Sequence, residues 1–222
     1  MSLENEIAKA IAELDEEKAI ALVKDGLSQG VPGLELLRAC QEGMAEVGSR
    51  FECQDYFVSD LMMSAEIFSA VAAILEPVLK AAGGNSAGTV IMGTVQGDIH
   101  NIGKDIVVNM LKAANFEVID LGVDVPPQVF VDKLKESRAK VLGMSGLLTL
   151  AFDSMKQTID LIAASGLRDK VKIMVGGGPV DARVCALVGA DNWSSDAQKA
   201  VRFAKEWIAA SATSGALNSS LS

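Results

Sequence analysis

The chain has one histidine, His100, and an aspartate stands two residues before it at Asp98. Both sit in the run Gly97-Asp98-Ile99-His100-Asn101-Ile102-Gly103-Lys104. A metal-bound imidazole usually donates its second ring N–H to a carboxylate, which fixes the tautomer and makes the ligand more basic. Asp98 is placed to do this across a tight loop. Gly97 and Gly103 let the backbone bend and a ligand approach closely. The same run also reads as an exposed loop histidine with no role. A zinc tetrahedron built by the protein alone has no second histidine or CxxC pair to complete it. A metal carried inside its own macrocycle needs a single axial protein ligand, and that possibility stays open.

Two further runs have small residues where side chains would otherwise crowd. One is Ser145-Gly146-Leu147-Leu148-Thr149 and the other is Gly176-Gly177-Gly178-Pro179. Taken singly, each is ordinary strand-to-helix turn chemistry. A glycine-rich phosphate loop is the rival, but neither GxxxxGK[ST] nor GxGxxG occurs. Together with the His100 loop they describe a deep slot with one imidazole at its mouth, open to a long, thin ligand tail.

The elements that must position these loops follow from hydrophobic periodicity. After residue 85, β-branched runs alternate with helical ones. Strands are predicted at Thr89–Val95, Glu117–Leu121, Val141–Ser145, Val171–Gly176 and Asn192–Ser194. Helices are predicted at 102–114, 127–138, 151–165, 180–188 and 196–210. This alternation predicts a parallel sheet covered on both faces, doubly wound and flavodoxin-like (Rossmann-type), with five strands. Its ligand belongs at the carboxyl ends of the strands, near strands one and three. All three small-residue runs follow predicted strands.

Residues 1–84 read as helical, with helices at 4–14 and 16–29, a third from Pro32 to about Phe51, and a fourth capped by Ser59. Asp15 is a plausible cap of the second. In the fourth, Leu61, Ala65, Phe68, Ala72, Leu75 and Leu79 keep the 3–4 spacing of an amphipathic face. Short connections suggest a four-helix bundle, whose plain reading is a dimerisation or docking module. Ala81–Gly88 reads as a linker and a hinge. The second domain is then 85–211, and 212–222 reads as a disordered tail.

With 20 basic and 29 acidic side chains among 222 residues, the net charge is −9. That argues against nucleic acid and anionic membranes as partners. Apolar stretches are interrupted by Glu76, Pro77, Gly and Ser before reaching the ~18 residues of a membrane span. The start MSLENEIAKA has acids where a signal peptide is basic. Cys40, Cys53 and Cys185 fit no disulfide framework, and a cytoplasmic location follows as the default. The three cysteines, and methionines such as Met62, Met63, Met144 and Met155, read as buried core residues. The Glu/Lys-rich starts of the early helices read as solvated faces or a partner surface.

The three runs together resemble the cobalamin-binding motif DxHxxG…SxL…GG. Gly103 and Ser145 are separated by 41 residues, and Leu147 and Gly176 by 28. The helical half is similar to the cap bundle that precedes this domain in corrinoid-dependent methyltransferases. Gly43-Met44, Val47-Gly48-Ser49-Arg50-Phe51 and Leu75-Glu76-Pro77 carry that likeness. The resemblance covers residues 3–210.

The resemblance implies that cobalamin or a related corrinoid binds base-off. Its nucleotide base would enter a slot lined by Ser145, Leu147, Thr149, Gly176, Gly177 and Gly178. His100 would replace that base as lower axial ligand of cobalt, with Asp98 hydrogen-bonded to it as the second member of the catalytic pair. Gly97, Ile99, Asn101, Ile102 and Gly103 would neighbour the corrin. Ser195, Asp196 and Ala197 would close on the nucleotide. Phe51, Val58 and Leu61 would cap the upper face and shield a methyl group. Methionine synthase-like members extend the Asp–His pair to a serine six positions after the SxL serine. Ala151 stands there in this chain, so a three-membered proton relay does not carry over, and water is the alternative route.

The implied activity is that of a corrinoid subunit of a methyltransferase complex, not a complete enzyme alone. It would shuttle a methyl group on cobalt from methanol, methylamines, methoxylated aromatics or betaines to a thiol or reduced pterin. Separate proteins would supply the donor methyltransferase, the acceptor methyltransferase and reductive activation. The rivals are an adenosylcobalamin-dependent mutase subunit, which needs an open upper face, a cobalamin-sensing regulator, which normally carries a basic DNA-binding segment, and a plain nucleotide-binding flavodoxin-like module.

Overall fold

A computed structural model describes residues 2–81, 86–194 and 196–219. The chain divides into two compact units, Met1–Asn85 and Ser86–Ser222. The middle of the expected linker, including the start of its hinge at Gly83, lies outside the described residues. Residues 1–85 carry 15 acidic and 6 basic side chains, a net −9, whereas residues 86–222 carry 14 of each. The acidity of the chain therefore belongs to the helical unit, and the unit with the three small-residue loops is neutral.

The helical unit contains α1 (Leu3–Ala12), α2 (Glu16–Ser28), α3 (Gly33–Glu52) and α4 (Val58–Ala81). Asp15 caps α2, its Oδ1 accepting the Lys18 N–H at 3.0 Å. Ser59 does not cap α4. The helix begins one residue earlier, and Asp60 Oδ2 instead accepts the Phe57 N–H at 2.7 Å, half of a capping box.

α4 buries Leu61, Ala65, Ile67, Phe68, Val71 and Leu75. By length and composition Val58–Leu79 is also apolar enough to cross a membrane, despite Glu76 and Pro77. Its buried stripe is that of a core helix. Met62 and Met63 fall off this stripe and are exposed, correcting their reading as core, while Met144 and Met155 are buried. Cys53 is likewise exposed, because it follows the last residue of α3 in a turn, while Cys40 and Cys185 are buried.

The motif residues of the helical unit have local reasons. A Cβ on Gly43 would lie 2.6 Å from the Ala8 carbonyl, so α1 and α3 approach closely only with glycine there. Arg50 donates from Nη1 to the Ala12 carbonyl at 3.1 Å and to the Tyr56 hydroxyl at 3.0 Å. Tyr56 donates to the same carbonyl at 2.7 Å. An orphan carbonyl at the end of α1 is thereby satisfied.

In the second unit, β1 (Thr89–Thr94), β2 (Glu117–Asp120), β3 (Val141–Ser145), β4 (Lys172–Gly176) and β5 (Asn192–Ser194) form one parallel sheet in the order β2-β1-β3-β4-β5. Between and after them run α5 (Ile102–Ala113), α6 (Pro127–Ser137), α7 (Ala151–Ala164), α8 (Ala182–Val188) and α9 (Ala197–Ser219). β1, β3 and β4 are nearly continuous apolar runs because helices cover both faces. Ile91, Leu142, Ile173, Phe130, Met155 and Ile162 are at the centre of the core. The strand order reverses between β1 and β3, whose connections run on to opposite sides of the sheet, which makes their carboxyl edge the expected crevice. α9 runs through Ser219. Alanines at 209, 210, 212 and 216 favour that continuation. Residues 220–222 lie outside the described ones.

Candidate functional site

The loop from Val95 to Asn101 joins β1 to α5 and carries the chain's histidine. Asp98 is fully buried there. Its Oδ1 accepts the His100 backbone N–H at 2.9 Å and stands 2.7 Å from His100 Nδ1. Its Oδ2 accepts the N–H groups of Leu147 at 2.6 Å and Leu148 at 3.0 Å. Burial by itself would push this carboxyl up. The backbone donors of His100, Leu148 and Leu147, together with the imidazole, outweigh it and hold the group down at about 2. An ionised carboxylate only accepts, so Nδ1 carries the proton, and in the neutral ring Nε2 keeps its lone pair. The His100 side chain is 49% exposed. Among the described residues, no hydrogen bond engages Nε2.

The surroundings suit a flat apolar ligand. Ile99, Ile102, Leu147, Leu148 and Leu150 are all large, apolar and exposed, although soluble domains usually bury such side chains. Gly97 bends the loop with φ +85. Gly103 does not bend it, being the second residue of α5. A Cβ there would meet nothing within 4 Å, so this glycine leaves the surface bare. Asn101 Nδ2 donates to Asp105 Oδ2 at 2.8 Å and steadies the first turn of α5.

The ends of β3 and β4 are as close as glycine permits. A Cβ on Gly177, where φ is +136, would fall 1.9 Å from the Gly146 carbonyl oxygen. A Cβ on Gly176 would lie 3.0 Å from the Ser194 carbonyl, and one on Gly178 3.1 Å from Leu147 Cδ1. Ser145 is partly buried at the end of β3, in register with Thr94 and Gly176. Thr149 is exposed in the turn before α7, its carbonyl accepting the Phe152 N–H at 3.2 Å. At the end of β5, Ser194 Oγ donates to the Asp196 carbonyl, and Asp196 Oδ1 caps α9 at the Lys199 N–H, 2.6 Å. Ala197 is buried, and Ser195 lies outside the described residues. In the helical unit, Phe51 is partly buried near the end of α3 and Val58 is half exposed. Leu61 is buried in that unit's own core.

Several contributors were not singled out from the sequence. Thr94 is buried and its Oγ1 donates to the His100 carbonyl at 3.0 Å. Asp124 accepts the Gly97 N–H on Oδ1 at 2.8 Å and donates its own N–H to the Asp98 carbonyl at 2.9 Å. Lys104 is buried, its Nζ 2.6 Å from both Asp105 Oδ1 and Asp120 Oδ2. Burial would lower its pKa, but these two carboxylates raise it. Asp120 Oδ1 also accepts the Gly122 N–H at 3.0 Å, which holds the loop carrying Asp124. None of these residues carries a local signal, since each acts from a loop or helix turn brought close by the fold.

The site therefore offers one oriented imidazole on an apolar ledge beside the glycine-rich ends of β3 and β4. Among the described residues no cluster of three or more His, Cys, Asp or Glu could hold a metal ion by itself. These donors fit a metal that arrives in its own macrocycle. A model for a B12 binding domain matches residues 88–202, and a second B12 binding domain model matches residues 3–76. The chain belongs to the B12-binding family. As a B12-binding protein it is 40% identical over 205 residues to the dimethylamine corrinoid protein of Methanosarcina barkeri, covering 92% of this chain and 96% of the relative. It is also similar to a crystallised cobalamin-binding protein from Desulfitobacterium hafniense DCB-2, with 40% identity, a TM-score of 0.79, and 93% of this chain and 98% of that one covered. The methanol:cobalamin methyltransferase complex MtaBC from Methanosarcina barkeri contains a chain with 27% identity and a TM-score of 0.81, covering 93% and 80%. Cobalamin or a related corrinoid is the cofactor of this B12-binding protein, and its five-stranded parallel sheet with alternating helices is the one expected.

Proposed function

We propose that this protein is a methyl-carrying corrinoid protein that binds its cofactor base-off, with His100 Nε2 as the lower axial ligand of cobalt. The observation that carries this reading is the His100–Asp98 pair. A buried carboxylate accepts from Nδ1–H at 2.7 Å, which in the neutral tautomer puts the lone pair on Nε2 of a half-exposed ring. Bound cobalamin supplies a cobalt centre that accepts and releases a methyl group. Asp98 keeps a proton at Nδ1 and fixes the plane of the ring. Ile99, Ile102, Leu147 and Leu148 offer apolar contact and exclude water. Gly176, Gly177 and Gly178 leave the strand end clear for the cofactor's nucleotide tail. The donors to Asp98 are three backbone amides and the imidazole, with no hydroxyl among them. This fits Ala151 at the relay-serine position and leaves proton exchange at the pair to water.

Of the donor classes, methylamines are favoured, because the dimethylamine corrinoid protein is similar over nearly its whole length. The likeness to a chain of a methyltransferase complex supports work with a separate donor-specific methyltransferase. An acceptor methyltransferase, a reductive activating protein and a cytoplasmic location complete the reading.

The test is the visible spectrum of the protein after mixing with hydroxocobalamin and desalting, beside His100→Ala. Stoichiometric retention with a base-off, histidine-ligated spectrum that His100→Ala alters is the expected result. Identical spectra for the two proteins would overturn axial ligation by His100.

A further inference from the structure

Asp98 is held from two sides by two different loops. Its side chain is held by the amides of Leu147 and Leu148, from the loop after β3. Its backbone is held within its own loop, where its N–H donates to the Val95 carbonyl at 3.2 Å, and by the loop after β2 through Asp124. Asp124 Oδ1 accepts the N–H of Gly97 at 2.8 Å, and Asp124 N–H donates to the carbonyl of Asp98 at 2.9 Å. The two bonds bracket the peptide that leads into Asp98. To make both, Asp124 sits at φ +53, a left-handed conformation uncommon outside glycine but tolerated by Asp and Asn. Its loop is itself tied down. The Thr94 N–H donates to the Gly122 carbonyl at 3.0 Å, and the Val125 N–H to the Thr94 carbonyl at 3.0 Å. Thr94 Oγ1 in turn donates to the His100 carbonyl.

We propose that Asp124 is a positioning residue for the axial imidazole, clamping the peptide between Gly97 and Asp98 so that His100 Nε2 is aimed outward from the sheet edge. The proposal rests on the axial role of His100 proposed above. Asp124 is exposed, so it contributes little to the core. Its two bonds instead set the pitch of the loop from which Asp98 and His100 project. Without the Asp124 carboxylate, Asp98 keeps its amide donors and its main-chain bonds to Asp124 and Val95, but the Gly97 N–H loses its partner and the loop can turn at Gly97. That would change the direction of Nε2 without unfolding the site.

Asp124→Gly removes the side chain while permitting the positive φ. Asp124→Asn keeps an oxygen acceptor and tolerates the same backbone. Both would be titrated with hydroxocobalamin beside the wild type and His100→Ala. Asp124→Gly is expected to bind about tenfold more weakly, the lower end of what loss of such an outer partner costs. Its visible spectrum should shift in the same direction as that of His100→Ala. Asp124→Asn should restore wild-type affinity and spectrum. Amide hydrogen exchange at Gly97 in the cofactor-free protein should be faster in Asp124→Gly and unchanged in Asp124→Asn. Wild-type affinity and spectrum in Asp124→Gly would overturn the proposal, as would an Asp124→Asn variant as impaired as Asp124→Gly. If His100→Ala leaves the spectrum unchanged, it is the axial ligation that fails, and Gly97 exchange still decides whether the clamp exists.

Discussion

A buried aspartate and a partly buried one sit at opposite ends of the same sheet. Asp98 follows β1 at the carboxyl edge, and Asp191 precedes β5 at the amino edge. Both accept backbone N–H groups, and both are held below the ordinary carboxylate range. Asp191 Oδ2 accepts the Ile173 N–H at 2.8 Å, and its oxygens stand 2.9 Å from Arg168 Nη1 and from Lys172 Nζ. Permanent cations neutralise it, and strand β4 is tied to β5. Among the described residues, Asp98 has no lysine or arginine partner. Its side-chain partner among them is an imidazole whose other nitrogen makes no hydrogen bond there, beside exposed apolar side chains and glycine-rich strand ends. A depressed carboxylate therefore does not mark a site by itself. What marks it is a partner with a second, unused ligating atom and space left for something to reach it.

The clearance is the feature whose loss should cost most. Gly177→Ala puts a methyl group 1.9 Å from the Gly146 oxygen at a φ of +136. Overpacking and a disallowed backbone region each cost about 1–3 kcal/mol, so roughly 4 kcal/mol of stability should be lost. Denaturant unfolding followed by circular dichroism would measure it, and corrinoid retention should be lost as well. A variant as stable as the wild type would show that the close approach of β3 and β4 does not depend on glycine at position 177.

What could be read from the sequence, and what could not, divides along the same lines. The His–Asp pair was legible because its members lie two residues apart in a loop that both ends of the pair share. The strands were legible because a doubly covered parallel sheet demands apolar runs. Gly177 was legible as clearance, though its close neighbour Gly146 appears only once β3 and β4 are paired. Asp124, Thr94 and Lys104 were not legible, since the partners that tie them to the site lie 6, 16 or 27 residues away in sequence, although Lys104 also meets its neighbour Asp105. Hydropathy alone misassigned Met62, Met63 and Cys53, because it states what a side chain prefers and not which way its helix face points. Gly103 was read as a bend and proved to be a bare helical surface.

Removing the charge of Asp98 should have the next largest effect. In Asp98→Asn one oxygen remains for donors that now number more than it can accept, and the new amide group confronts N–H groups. The folded pKa of Asp98 is about 2 against an ordinary 3.8. A depressed carboxylate stabilises the fold above its unfolded value, and that contribution disappears as pH falls through the folded one. The variant should therefore be less stable by on the order of 2 kcal/mol at pH 7. The gap should narrow below pH ~3.8 and close near pH 2. Parallel urea titrations at pH 7 and pH 2.5 measure it, and a gap independent of pH would mean that lost shape, not lost charge, was responsible.

Asp191→Asn completes the comparison with the smallest change. Arg168 and Lys172 are 28% and 54% exposed, so water and salt already screen this pair of bridges. The loss should be about 1 kcal/mol, most of it from the two screened ion pairs because an Asn oxygen still accepts the Ile173 N–H, and it should shrink further in high salt. Corrinoid affinity and spectrum should not change, because nothing that Asp191 holds points toward the carboxyl edge. If they did change in Asp191→Asn at a temperature where the protein stays folded, the two ends of the sheet would be coupled. The separation drawn here between a carboxylate that ties strands together and one that aims a ligand would then fail.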